Sequence, residues 1–161
     1  MAYTDVDSFK SFGTDFQNCV LQGALVDRDF FEKGFEILKG EYFSSDAHQT
    51  VWLEIIKLFN KYGAAPTYDT LKAEISQYPE GELKEATINV LFDIETKVNR
   101  QEIEYAKDKS LEFCKNQSMK GAILQSVELL KEGKFEEIQK TIKDSLKISS
   151  EQDMGQDYFD S

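Results

Sequence analysis

Apolar residues recur at helical spacing along almost the whole chain, and the densest run lies between residues 47 and 62. There Ala47, Val51, Trp52, Ile55, Ile56, Phe59 and Tyr62 form a stripe broad enough to touch neighbours on two sides, which predicts a central helix. Upstream, Thr14 with Gln17 reads as a capping box before Phe16, Cys19, Val20, Gly23 and Ala24. Asp29 with Glu32 predicts the start of a second helix, Phe30 to Leu38, burying Phe31, Phe35 and Leu38 and ending at Gly40. Glu41-Tyr42-Phe43 reads as an extended connection, and Ser44-Ser45-Asp46 offers caps for the central helix. Gly63 closes that helix, because a residue without Cβ takes the left-handed conformation readily. Pro66 forces an extended entry and Thr67 caps a helix through Leu71 and Ile75. After a turn at Pro79-Glu80-Gly81, a fifth helix follows Leu83, Ala86, Thr87, Val90, Leu91, Ile94 and Val98. The expected core of this unit, residues 1–100, is Phe16, Val20, Phe35, Trp52, Ile55, Phe59, Leu71 and Leu91. Ahead of it, Tyr3, Val6, Phe9 and Phe12 fit either a short helix or an arm docked on a neighbour.

The pattern changes after residue 100. From Gln101 to Lys131 only Gly121 interrupts a narrow stripe of Ile103, Ala106, Cys114, Ala122, Ile123, Val127 and Leu130. Glu132-Gly133-Lys134 turns the chain, and Phe135, Ile138, Ile142 and Leu146 stripe a return helix. Residues 101–148 are therefore expected to form an antiparallel helical hairpin. Two helices cannot bury both stripes alone, so Cys114, Ala122, Ile123, Val127, Leu130, Phe135, Ile138, Ile142 and Leu146 are the expected contacts with a second copy. Residues 149–161 read as a polar linker, with Asp157-Tyr158-Phe159-Asp160 beginning an aromatic patch as if a further domain followed. The whole is an all-α chain: a globular helical domain, then a hairpin, then a linker.

Charge narrows the functions open to such a chain. Of 161 residues, 30 are acidic and 19 are Lys or Arg, a net charge of −11. Residues 1–100 carry 17 acidic and 10 basic side chains, 101–148 carry 9 of each, and 149–161 carry 4 acidic and none basic. Tight nucleic-acid binding depends on cations that displace counterions from phosphates, so DNA is expected to be held weakly or only through an assembly. No apolar run approaches membrane-spanning length and no signal-like segment opens the chain, so no membrane partner and a cytoplasmic location are expected.

Candidate chemistry is sparse. Gly133-Lys134 lacks the upstream glycine and the hydroxyl residue of a phosphate loop. His48 is the only histidine, placed at a helix start where a structural role is the simplest reading. Cys19 and Cys114 lie on apolar faces without metal-like spacing and read as reduced core thiols. Asp27/Asp29 and Glu136/Glu137 sit at caps or on solvated faces. Trp52, Phe59 and Tyr62 have the residue types of a base-stacking platform, but no Lys/Arg groove accompanies them, and at helical spacing they read as core. No catalytic, cofactor or metal residue is therefore expected.

The order of the pieces carries a resemblance. Val20-Leu21-Gln22-Gly23-Ala24-Leu25-Val26-Asp27, then Tyr42-Phe43 with His48 and Val51-Trp52, then Tyr62-Gly63 and Pro66-Thr67-Tyr68-Asp69-Thr70-Leu71, resemble the N-terminal domain of DnaB-type replicative helicases. The ending, Ser145-Leu146-Lys147-Ile148-Ser149 with Gly155 and Asp157-Tyr158-Phe159-Asp160, is similar to the T-even-like phage form. Trp52 stands where that family more often has Phe, and Asp46-Ala47 replaces a segment that often holds proline. The resemblance implies a collar domain of a ring-shaped helicase in a bacterial host's cytoplasm. In it hairpins pair into dimers, three dimers make the ring, and the collar docks the primase and a helicase loader. ATP and Mg2+ would belong to a RecA-like motor domain absent here, so this chain itself would not be an enzyme. Two other readings fit the pattern: the helicase-binding C-terminal domain of a primase, and a free-standing acidic helical adaptor.

Overall fold

The computed structural model describes residues 8–97 and 99–160, with residues 148–160 described by backbone alone. Seven α-helices follow one another among the described residues: α1 (Thr14–Val26), α2 (Arg28–Ile37), α3 (Asp46–Tyr62), α4 (Tyr68–Ser76), α5 (Glu82–Thr96), α6 (Arg100–Lys131) and α7 (Phe135–Asp160). The chain divides into two compact units, the first ending at Leu111 and the second beginning at Glu112. The first thus reaches eleven residues beyond the boundary expected from the apolar pattern, and α6 belongs to both. Tyr3, Val6 and Val98 lie outside the described residues.

In the first unit α3 packs on α5, α1 packs on α2 and α5, and α4 also lies on α5. Phe16, Val20, Trp52, Ile55, Leu71 and Leu91 are buried as a common core, whereas Phe35 and Phe59 are only half-buried. Those two rings meet at 4.8 Å and close the edge of the core over Phe31, which is itself buried. The buried face of α3 is rotated from the expected stripe. It takes in Leu58, His48 and Glu54, while Tyr62 is exposed. The Glu54 carboxylate is partnered in this setting by Lys57, 3.3 Å away, and by the Tyr78 hydroxyl, which donates to it.

Local signals explain some of these helix ends. Ser45 and Thr67 accept the backbone N–H of His48 and Thr70, and Gly63 closes α3 at φ +79°. Other ends differ from the sequence expectation. Thr14 is not a cap: α1 starts after Gly13, which adopts φ +91°. Gln17 turns inward, its amide donating to Ser44 Oγ at 2.8 Å and its carbonyl oxygen accepting from Ser44 N–H at 2.8 Å. Asp27, not Asp29, caps α2 by accepting from Phe30 N–H, and α2 begins at Arg28 and ends at Ile37. Residues Gly40–Tyr42 form a turn of 3-10 helix rather than an extended connection. A second such turn, Phe9–Phe12, places Phe9 edge-on against Phe16, Tyr42 and Phe43 at 5.3–6.0 Å, so this part of the amino-terminal segment completes the core of its own unit.

Two contacts fasten distant segments of this unit. Gln22 donates to the carbonyls of Ile94 and Lys97, satisfying acceptors that the last turn of α5 cannot pair internally. Lys107 donates to Asp27, so the carboxylate that caps α2 also receives the start of α6. Gly23 makes room for the lysine: a Cβ there would lie 3.0 Å from Lys107 Cγ. Burial pushes the Asp27 pKa up, yet the Lys107 ammonium and the Phe30 amide outweigh it and hold the carboxyl below its usual range.

The second unit holds the rest of α6, a turn and α7. Gly133 adopts φ +74° and lets Gly133 N–H and Lys134 N–H bond back to Leu130 and Leu129 carbonyls, which stops α6 and starts the return. Helix α7 does not give way to a linker at residue 149 but continues to Asp160. No proline interrupts that stretch, so an established helix can propagate through it.

Candidate interaction surfaces

Within the second unit, Ser145 Oγ donates to the Ser118 carbonyl at 3.4 Å, which sets α7 antiparallel to α6. On α6 this register aligns Ser118, Ala122, Ser126 and Leu129 toward α7, and on α7 it aligns Ile138, Thr141 and Ser145 toward α6. Ala122, Leu129 and Ser145 are buried and the others half-buried. Apart from Leu129 and Ile138 the facing residues are small or hydroxylated, and most of the large apolar side chains point elsewhere. Ile123 is 56%, Leu124 59%, Leu130 58% and Phe135 65% exposed, with Val127, Ile142 and Leu146 exposed beside them.

All of these but Leu124 share one side. Each α-helical residue advances about 100°, so Ile123, Val127 and Leu130 lie roughly a quarter turn onward from the residues of α6 that face α7. Phe135, Ile142 and Leu146 lie a similar step onward from the facing residues of α7. Because the two helices run in opposite directions, equal steps in the chain direction bring both stripes to the same flank. The result is a continuous exposed apolar face built from two parallel ridges.

Of the residues expected to contact a second copy, Ile123, Val127, Leu130, Phe135, Ile142 and Leu146 lie on this face. Ile138 is half-buried on the facing side. Cys114 and Ala122 are buried within the chain itself and are corrected out of the outer stripe. Burial alone pushes the Cys114 thiol up to about 12. Leu124 is exposed too but, a further quarter turn past Ile123, lies off this face. Two further exposed apolar residues had no place in the sequence reading: Ile88 and Phe92, four residues apart on the outer side of α5. Their spacing was the available signal, overshadowed by the inward stripe of Thr87, Leu91 and Ile94 on the same helix.

His48, the remaining chemical candidate, is buried and fully engaged. Its Nε2–H donates to Asn18 Oδ1 at 2.7 Å, which leaves Nδ1 to accept the Ser45 hydroxyl. The Phe43 ring stacks on the imidazole with 10° between the planes. Burial lowers the affinity of His48 for a proton, and the charge of Asp93 offsets this only in part. The network uses the neutral ring as a connector between α1 and α3. Among the described residues no cluster of His, Cys, Asp and Glu could hold a metal ion, and no helix is long and apolar enough to cross a membrane.

Residues 13–107 match the family described as DnaB-like helicase N terminal domain. The match covers most of the first unit and stops short of the exposed hairpin face. No curated protein and no solved structure matches the chain.

Proposed function

Because this chain belongs to the family of DnaB-like helicase N-terminal domains, we propose that it is the collar of a replicative DNA helicase ring, of the T-even-like phage form, and that its hairpin is the element that joins copies. The exposed apolar face of α6 and α7 carries this reading. Covering a Leu, Ile, Val or Phe side chain contributes about 1.5–3 kcal/mol, and these ridges offer six such residues to one partner. A two-fold pairing would apply the same face twice, and the balanced 9 acidic and 9 basic side chains of residues 101–148 do not oppose it. Three such dimers close the ring. In the same reading the collar docks primase and a helicase loader, contributes no catalytic residue, and leaves ATP and Mg2+ to a separate motor domain. Its acidity suits a collar that encircles a DNA strand without gripping it.

Sedimentation velocity tests the pairing. The chain is expected to be dimeric at tens of micromolar, and Ile123→Asp with Ile142→Asp is expected to give monomers, since unpaired carboxylates would have to be buried in the contact. Unchanged helical circular dichroism would show that the variant is folded. A wild-type monomer at high micromolar concentration, or a double variant still dimeric, would refute the assignment.

A further inference from the structure

The outer side of α5 has the composition of a second docking surface, independent of the hairpin. Phe92 is 63% and Ile88 43% exposed, and Glu85 lies on the same side three residues before Ile88. Beside Ile88 is an open concavity of about 290 Å³ lined by Glu80, Gly81, Lys84, Glu85, Ile88 and Asn89. Lys84 is neutralised there by Glu80 at 2.6 Å. The acidic groups farther along α5 are also matched, Glu95 by Lys72 and Asp93 by Lys97. Glu82 and Glu85, in contrast, have no ion pair among the described residues. They complement the positive amino-terminal end of α5, which fixes their position without cancelling their charge.

We infer that this face binds a basic amphipathic helix of another protein, its apolar residues laid on Ile88 and Phe92 and a Lys or Arg reaching into the concavity toward Glu85. An apolar pair beside a cleft whose free charges are all negative selects against acidic partners and against phosphates, and favours a segment that joins apolar and cationic side chains. A second copy of this chain is a poor occupant. The residues 1–100 that contain the face hold 17 acidic against 10 basic side chains, so two such units repel. The inference rests on the docking role proposed above and specifies its surface and chemistry.

The probe is a synthetic 20-residue Leu/Lys helix, with a Leu/Glu helix of identical pattern as control, titrated into the 15N-labelled 161-residue chain. The Leu/Lys peptide is expected to shift the amide resonances of residues 82–96, and binding is expected to weaken with added salt. Phe92→Ser and Glu85→Lys are each expected to weaken it about tenfold or more, equivalent to about 1.4 kcal/mol. Both residues project into solvent, so the variants should keep the wild-type circular dichroism. Three outcomes would overturn the inference: no shifts on α5, equal binding of the Leu/Glu peptide, or affinity unchanged in both variants. Shifts on α5 that follow chain concentration without peptide would also overturn it, by assigning the face to self-contact. Sedimentation of the same samples reports hairpin pairing separately, so failure of one reading is distinguishable from failure of the other.

Discussion

Replacing Trp52 by Ala should unfold the first unit more readily than any single change on its surface. Trp52 is 2% exposed and lies 6.2 Å, centroid to centroid, from both Phe31 and Phe43. A buried aromatic covers about 150–250 Å², which at about 25 cal/mol per Å² is worth roughly 4–6 kcal/mol. Alanine retains part of that area, and the cavity left behind is rimmed by rings that cannot all close in. The expected loss is therefore about 3–5 kcal/mol, the range typical of such truncations. In a unit of this size each kcal/mol shifts the melting point by about 4–8 °C, so a fall of about 12 °C or more is expected. Circular dichroism at 222 nm, by heat and by urea, measures it. Tyr62→Ala on the exposed side of the same helix is the internal control and should change stability by no more than about 0.5 kcal/mol. Equal effects of the two substitutions would refute the placement of Trp52 at the centre of the core.

His48 should make stability depend on pH in one direction. Its native proton affinity is lowered from 6.5 by burial, so as pH falls below about 6.5 the unfolded chain takes up a proton that the folded chain resists. Stability contributed by the neutral ring is present above that pH and is lost on descent through the lowered native value. His48→Gln should flatten this part of the urea-midpoint profile, and an unchanged profile would show that the ring is not held neutral. For Cys114, a thiol at about 12 has almost no thiolate near pH 8, so iodoacetamide should label it only after unfolding. Mass spectrometry of the native chain checks this, and prompt labelling would contradict its burial.

Much of the architecture was legible because it is written in local signals. Ser45, Gly63 and Thr67 mark helix ends through groups only a few residues away, and the 3.6-residue stripe of α3 needs no knowledge of its partners. Gln17 was misread because a capping box and a long-range amide bond use the same residue; only the arrival of Ser44, twenty-seven positions later, separates them. Asp27 was passed over as a cap because its second role, pairing with Lys107, draws together residues eighty apart. The hairpin shows the limit most clearly. Its apolar residues were visible as stripes, but which of them face the other helix depends on the Ser118–Ser145 register. Cys114 and Ile123 therefore looked alike in sequence and are opposite in exposure.

The small, hydroxylated seam between α6 and α7 has a consequence for the pairing of copies proposed above. A helix pair joined by Ala122, Ser126, Thr141 and Ser145 gains little from its internal contact, so much of its cohesion must come from whatever covers Ile123, Leu130 and Phe135. On the proposed pairing, order in the hairpin and assembly become one equilibrium governed by mass action, separate from the aromatic core around Trp52. Newly made chains would first carry a finished globular part and a loosely held hairpin, and the hairpin would tighten only as copies accumulate. Concentration itself would act as the checkpoint that keeps single chains from presenting a completed collar.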